Sequence, residues 1–432
     1  MTTFDVYNAA LADELLPAMG CTEPIALAYA GAICAKRLGG FPETIRIEIS
    51  RNIIKNVKSV VVPNTEGLRG IEAAVVAGLV SARPEAALEV LSGVTPDEKK
   101  EIHERLASQK MEVVPSDEPD VFFIRLTTTR AGKTVTVVIR TSHTNVTRIE
   151  EDGEAVFLKN DHAEEVEAPE LWHISELIRA ARTMPLDVSR PLLERQIAAN
   201  MAIAEEGLKT PWGAGVGRVI LSRNPEDPAV RARAWAAAAS DARMNGCELP
   251  VVIVSGSGNQ GITASVPVVI FAQSLKSSEE ELLRAVLLSD LVTIALKQGI
   301  GKLSAYCGAV SAGCGAGAGI AMLKGYADNE IADVVSNALA TTSGLICDGA
   351  KSSCAAKIAM SVEGALMALD MVAQEKVFRE GDGIVQHTVD ETAEAVGRIA
   401  SRGMVTTDKE VRVLRRGDAK NSSERPKRRG PR

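Results

Sequence analysis

The chain has 432 residues, too many for one ordinary hydrophobic core, so two or three domains are expected. Hydrophobic residues make up 46% and charged residues 24%, as in a globular protein, but aromatics are only 3%; the interior must be built from Ala, Val, Ile and Leu, which suggests closely packed helices. Net charge is −7 although the last eighteen residues carry eight Lys/Arg against two Asp/Glu, so the remaining body, near −13, speaks against nucleic acid as a principal partner.

The opening MTTFDVYNAALADELL shows no basic stretch followed by an apolar run, so no secretory signal is visible. The seven cysteines, an odd number, are therefore expected to be reduced in a cytoplasm. The small-apolar run from Tyr306 to Leu323 is mostly Gly, Ala and Ser, which makes it a poor membrane span, and no membrane partner is expected.

In chain order, residues 5 to 38 read as helix, broken at MGCTEP where Gly20 and Pro24 leave Cys21 and Glu23 at a turn. TIRIEIS alternates with period two and is a strand; NVKSVVVPNTEGLRG reads as a strand running into a Pro-Asn turn and a glycine-punctuated helix start. Asp97 to Lys110 is helical. VFFIRLTTT, KTVTVVIR and the stretch after SHTNVTRIEEDG are strand-like, with Gly132 and Gly153 at the bends. From Pro169 onward windows such as ELWHISELIRAAR and EEELLRAVLLSDLVTIALKQG carry helical period, with LPVVIVSGSGNQGITASVPVVIF as one β-rich exception. The fold class is α+β: an N-terminal mixed α/β domain (1–175), then a mainly helical C-terminal domain (176–412) carrying the cysteines, and a basic disordered tail (413–432). The boundary is placed near residues 165 to 185.

Four cysteines form two pairs of equal spacing, Cys307/Cys314 and Cys347/Cys354. Three readings stand: burial of small hydrophobes in an Ala-rich tract, a structural zinc site, and an iron–sulfur cluster. Zinc is disfavoured by the six-residue gaps, since structural sites usually pair ligands at closer spacing. Gly256, Gly258 and Gly261 satisfy G-x-G-x-x-G after an apolar run, but the following β-branched stretch with Pro267 argues against the helix that a dinucleotide fingerprint should open. The alternatives are a tight turn or a loop whose backbone N–H groups converge on an anion such as an α-carboxylate, with Asn259 adding a contact. His143 at a strand end and Cys21 at a turn read, taken alone, as an ordinary surface and a packing residue. Asp348, Lys351 and Lys357 either orient the neighbouring cysteines or are solvated charges.

Taken together, GCTEP, PNTEGLRG, HTN, SGSGNQG, YCG and CDGAKSSCAAK occur in an order that resembles the L-cysteine desulfidase group of bacteria and archaea. That group belongs to the iron–sulfur L-serine dehydratase superfamily, and the likeness runs from about residue 8 to about residue 412. The resemblance implies a [4Fe-4S] cluster held by Cys307, Cys347 and Cys354, with Cys314, Cys34 and Cys247 left to packing. It implies Cys21 as the catalytic base or a thiol beside it. It also makes His143, Thr144 and Asn145, the loop residues Ser257, Gly258 and Asn259, and more weakly Asn64, Thr65 and Lys55, contacts of a small amino-acid substrate. The expected activity is β-elimination of L-cysteine to sulfide, ammonia and pyruvate by a homodimer. Its rivals are an L-serine dehydratase on the same cluster and a non-catalytic metal-binding or redox-sensing protein.

Overall fold

The computed structural model describes residues 3–58, 60–159, 172–301 and 304–417. Helix α1 (Thr3–Glu14), the three-residue strand β1 (Pro17–Met19) and helix α2 (Thr22–Leu38) open the chain. Strand β2 (Thr44–Ile49), helices α3 (Arg51–Val57), α4 (Ile71–Ser81) and α5 (Pro96–Ser108), and strands β3 (Met111–Pro115), β4 (Phe123–Arg130), β5 (Lys133–Arg140), β6 (Val146–Glu151) and β7 (Glu154–Leu158) complete the first part. One sheet of order β3-β2-β4-β5-β6-β7 results, parallel only between β2 and β3. Alternation sets its buried face: Ile45, Ile47 and Ile49 of β2 point inward while Thr44 and Arg46 are exposed. Over that face lie α2 and α4, whose axes approach closely because Gly31 and Gly78 have no side chains; a Cβ on Gly78 would stand 1.9 Å from the Ala28 carbonyl oxygen.

The second part is helical: α6 (Ile174–Thr183), α7 (Arg190–Lys209), α8 (Val216–Leu221), α9 (Pro228–Met244), a short strand β8 (Pro250–Val252), then α10 (Gly258–Leu275), α11 (Glu279–Ile300), α12 (Gly308–Leu323), α13 (Asp328–Thr342), α14 (Cys354–Val372), α15 (Val389–Arg398) and α16 (Val405–Gly417). At the centre α12, GAVSAGCGAGAGIAML, is buried on all sides. Its glycines seat neighbouring helices: Gly313 faces Ser361 of α14, Gly315 faces Ser289 and Thr293 of α11, and Gly317 faces Val334 of α13. The closely packed helices expected from the Gly and Ala content are thus found, and Cys314 lies within that contact layer. The same hydrophobic core runs from Ile47 and Ile124 of the sheet to Leu288 and Val310 of the helices. Residues 160–171, where the expected boundary falls in part, lie outside the described residues, and the division into two domains stays a proposal.

Three local expectations are corrected. The strand expected from NVKSVVV is not formed among the described residues: Asn56 and Val57 end α3, and beyond them Val61 makes an isolated bridge with Arg69. The β-rich reading of ITASVPVVIF fails because the segment is α10; a helix buried on every side, with Ile262, Val266 and Ile270 as deep as Thr263 and Ser265, shows no amphipathic period to distinguish it from a core strand. Of the basic tail expected from residue 413, residues 413–417 continue α16, and residues 418–432 lie outside the described residues.

Asp290 of α11 is fully buried and accepts one hydrogen bond, from Gln196 Nε2 at 2.9 Å. Burial pushes its carboxyl up to about 8, so the folded protein holds a proton at neutral pH that the unfolded chain releases above about pH 4. The stability this proton confers is complete below that point and is lost as pH rises towards 8. Asp290→Asn should therefore match the wild type in thermal unfolding at pH 4 and exceed it at pH 8, by on the order of 2 kcal/mol. Gly315→Ala would place a methyl 2.3 Å from the Ser289 carbonyl oxygen, while nothing stands within 4 Å of a Cβ on Gly344. In circular-dichroism melts Gly315→Ala should be destabilised by about 2 kcal/mol or more and Gly344→Ala should melt with the wild type.

Candidate active site

The site is assembled by one short pairing. β1 and β8 form a two-stranded antiparallel ladder in which Pro17 faces Val252, and Ile253 N–H donates to the Leu16 carbonyl. This brings the start of α2 against the turn that precedes α10. In that turn Val254 and Ser257 exchange backbone hydrogen bonds, and the two residues between them, Ser255 and Gly256, both adopt positive φ, 47° and 75°. Thr22 Oγ1 donates to the Gly256 carbonyl at 3.0 Å and fastens α2 to the turn. His143, just past β5, stacks edge-on against Phe122 and stands 3.2 Å from where a Cβ on Gly256 would be.

A second pairing brings up the sulfur atoms. Tyr306 and Ile346 form an isolated bridge, flanked by hydrogen bonds from Cys307 N–H to the Leu345 carbonyl (3.0 Å) and from Cys347 N–H to the Ala305 carbonyl (2.6 Å). Cys307 then caps the N-terminus of α12, and Cys354 begins α14. Between Cys347 and Cys354 the loop turns at Gly349, φ 92°, around the Asp348 carboxylate, which binds the ammonium groups of both Lys351 and Lys357. Burial opposes the charge on Asp348, but the hydrogen bonds from these lysines hold its carboxyl below the usual range. Lys357 also donates to the Ile346 carbonyl at 2.7 Å, so these partly exposed charges are tied to the backbone of the cysteine loop.

Cys21, Cys307, Cys347 and Cys354 all line one cavity of about 120 Å³. Burial pushes the Cys307 thiol up to about 12, and the facing Cys347 and Cys354 add to the shift. Cys354 is raised by burial and by Cys347; Cys21 is pushed up to about 12 by burial, against the influence of Arg243. Left alone, such thiols stay protonated at neutral pH; a bound metal displaces those protons, so its hold on the thiols weakens as pH falls. Among the described residues no three His, Cys, Asp or Glu side chains close on a single metal ion. Three thiols spread around a cavity, each from a different loop or helix start, suit a cluster that takes one cysteine at each of several irons.

Of the other residues singled out in the sequence, His143, Ser257 and Asn259 line this cavity, and Gly258 opens α10 beside them. Lys55 lines it too and forms a buried ion pair of 2.8 Å with Asp408 of α16. Asn64 and Thr65 lie outside the lining: Asn64 Nδ2 donates to the Leu91 and Ser92 carbonyls, which ties its loop to a distant segment, and Thr65 Oγ1 donates to the Val62 carbonyl within its own loop. Thr144 and Asn145 also stay outside it. The Asn145 amide donates to the Arg140 carbonyl and accepts from Lys159 Nζ, which fixes the turn between β5 and β6. Cys34 and Cys247 are buried in the core.

Glu23, Asn56, Arg243 and Gln260 also line the cavity, and sequence reasoning assigned none of them a part. Arg243 carried a usable signal: it is a cation within the Ala-rich, fully buried face of α9. The fingerprint argument needs revision as well. G-x-G-x-x-G does open a helix here, and what speaks against the dinucleotide fold is that, among the described residues, β8 pairs only with β1, antiparallel, and belongs to no parallel βαβ unit. No helix of the described residues is long and apolar enough to cross a membrane.

Comparison with known proteins accords with this arrangement. The chain is 46% identical to a UPF0597 protein of Desulfitobacterium hafniense over 94% of its own length and 96% of that protein. It is 42% identical to one of Treponema denticola, with the same coverage, and 44% identical to one of Lachnoclostridium phytofermentans over 92% and 96%. The profile described as serine dehydratase alpha chain matches residues 85–411, a stretch that takes in His143, the turn before α10 and all three cysteines of the loop pair. With three quarters of its length matched, the chain belongs to the serine dehydratase alpha chain family.

Proposed function

We propose that this protein is an iron–sulfur lyase that removes the β-substituent of a small L-amino acid, and that its substrate is L-cysteine, released as sulfide, ammonia and pyruvate. The observation that carries the proposal is the meeting of Cys307, Cys347 and Cys354 with Cys21 on one small, largely buried cavity. When bound to the first three, a [4Fe-4S] cluster supplies a Lewis-acidic iron and a sink for developing negative charge.

The protein's own residues do the remainder. The Cα proton of an amino acid is barely acidic, so its removal requires a base in reach and positive charge where the negative charge collects. Cys21 is the proposed base. It sits at the N-cap of α2 with no side-chain hydrogen bond there; burial dominates and on its own keeps the thiol protonated, while Arg243 and the helix terminus pull towards the thiolate that the proposed role requires. Its Sγ lies 3.7 Å from Met244 Sδ, which holds the thiol in place. Loss of thiolate from the β-carbon yields aminoacrylate, which tautomerises and hydrolyses once released. The mostly buried lining limits water in the cavity while that happens. The same reading places the enzyme in a reducing cytoplasm, supported by seven free cysteines, and makes it a homodimer, for which Val219, Met360 and Met367 offer exposed apolar surface.

The family description favours a second reading, elimination of water from L-serine. Turnover of the two substrates by anaerobically reconstituted protein separates them: kcat/KM for L-cysteine should exceed that for L-serine by at least about tenfold, and the reverse order would overturn the cysteine assignment. Iron and acid-labile sulfide should fall sharply in Cys307→Ala, Cys347→Ala and Cys354→Ala. Cys314→Ala should keep both, because that side chain lies in the helical core. Cys21→Ser should retain the cluster yet lose at least about 100-fold in kcat; full activity in that variant removes Cys21 from the mechanism.

A further inference from the structure

Arg243 ends α9 inside the cavity wall, is 5% exposed, and forms no ion pair among the described residues. A guanidinium taken out of water without a carboxylate is strongly disfavoured, so a buried one facing a cavity calls for an anion there. Its Nη1 donates to Asn259 Oδ1 at 3.1 Å, while its Nε has no partner at all. Space for it exists only because residue 258 is glycine: a Cβ there would stand 2.4 Å from Nε. Beside it α10 begins at Ser257, whose side chain makes no cap hydrogen bond, so the first N–H groups of an eighteen-residue helix remain available to a ligand.

Other groups on the same wall have the opposite preference. Gln260 Oε1 and Asn56 Oδ1 are buried acceptors without partners, and Asn56 Nδ2 donates to the Glu23 carboxylate at 2.8 Å. Cations and free helix-start donors line one cavity with unpaired acceptors and a carboxylate, and the combination matches a molecule that carries an anion and an ammonium together.

We propose that Arg243 and the first turn of α10 bind the α-carboxylate of an amino-acid zwitterion whose ammonium is received by Glu23, Asn56 and Gln260. Asn259 then serves as the positioning residue that holds the guanidinium, not as a substrate contact. The inference rests on the reading of this cavity as an amino-acid site, but on no step of the elimination.

The test uses a ligand that binds without reacting. L-Alanine has the zwitterionic head and no leaving group; L-alaninamide replaces only the carboxylate. Calorimetry on anaerobically reconstituted protein should show L-alanine binding at least about 30-fold tighter than L-alaninamide. In Arg243→Gln that preference should collapse to less than about threefold, with the visible absorbance of the cluster retained, and Arg243→Lys should fall between. The wild-type comparison needs no variant and decides the matter by itself if the variants do not fold: equal affinity for the two ligands overturns the proposal. So does an undiminished preference in Arg243→Gln. Loss of cluster absorbance in both Arg243 variants, with no carboxylate preference in the wild type, would assign the guanidinium to neutralising the cysteine cage and likewise overturn it. If no amino acid yields pyruvate while the carboxylate preference stands, the lyase reading falls and this one survives.

Discussion

Four helices begin at one cavity. The N-termini of α2, α10, α12 and α14 all contribute to its wall, and none has a side-chain cap hydrogen bond at Cys21, Ser257, Cys307 or Ser353; in α12 and α14 backbone carbonyls take up part of the first turn, Val310 N–H donating to the Cys307 carbonyl and Cys354 N–H to that of Lys351. Each terminus carries roughly half a positive charge and several unsatisfied donors, and in partly buried surroundings is worth up to about 2 kcal/mol to a nearby anion. Helices of 16 to 19 residues do not ordinarily leave their starts uncapped together. The arrangement favours negative charge in the middle, and thiolates, an anionic cluster and a carboxylate are all of that sign.

Bringing four helix starts so close requires helices that can nearly touch, which explains the composition. Along α12 the glycines fall where α11, α13 and α14 press in, and a β-carbon at Gly308 would meet the Gln260 side chain at 2.7 Å. An interior of large aromatics would hold the axes apart and open the cavity to water. The scarcity of Phe, Tyr and Trp and the abundance of Gly and Ala are therefore one property seen twice.

How much of this was legible in the sequence follows from the same packing. The half-buried strands declare themselves, because alternating exposure writes a period of two into TIRIEIS and KTVTVVIR. Helix α10 does not, since burial on all sides erases the contrast from which a period is read. The cysteines of the cavity were recognisable as a set from their motifs, yet equal spacing gave no means to separate Cys314 from Cys307. One turn pair of the α12 helix does separate them, placing the first at its open end and the second in its packed middle. Asn64, Thr65, Thr144 and Asn145, substrate contacts by the family resemblance, lie outside the cavity lining, and the side chains of Asn64, Thr65 and Asn145 donate to backbone carbonyls; their part in substrate binding stays a proposal. Arg243 was overlooked as a cation on a helix, where cations usually face water.

The two halves of the chain meet at this cavity through few but specific polar ties. Thr22 holds the Gly256 carbonyl, the β1 and β8 backbones pair, and Lys55 reaches Asp408 at 2.8 Å across 353 residues of sequence. A surface ion pair contributes little, but this one is buried, where a charge is costly to hold and its geometry is correspondingly strict. The tie therefore acts less as a source of net stability than as a condition on geometry: α16 must be docked for Lys55 to present its ammonium at the cavity wall. Cys21 and Lys55 come from the first part of the chain, Arg243 and the three loop cysteines from the second. Neither part holds a complete set of charges, so the chemistry of the cavity exists only where the two are folded against each other.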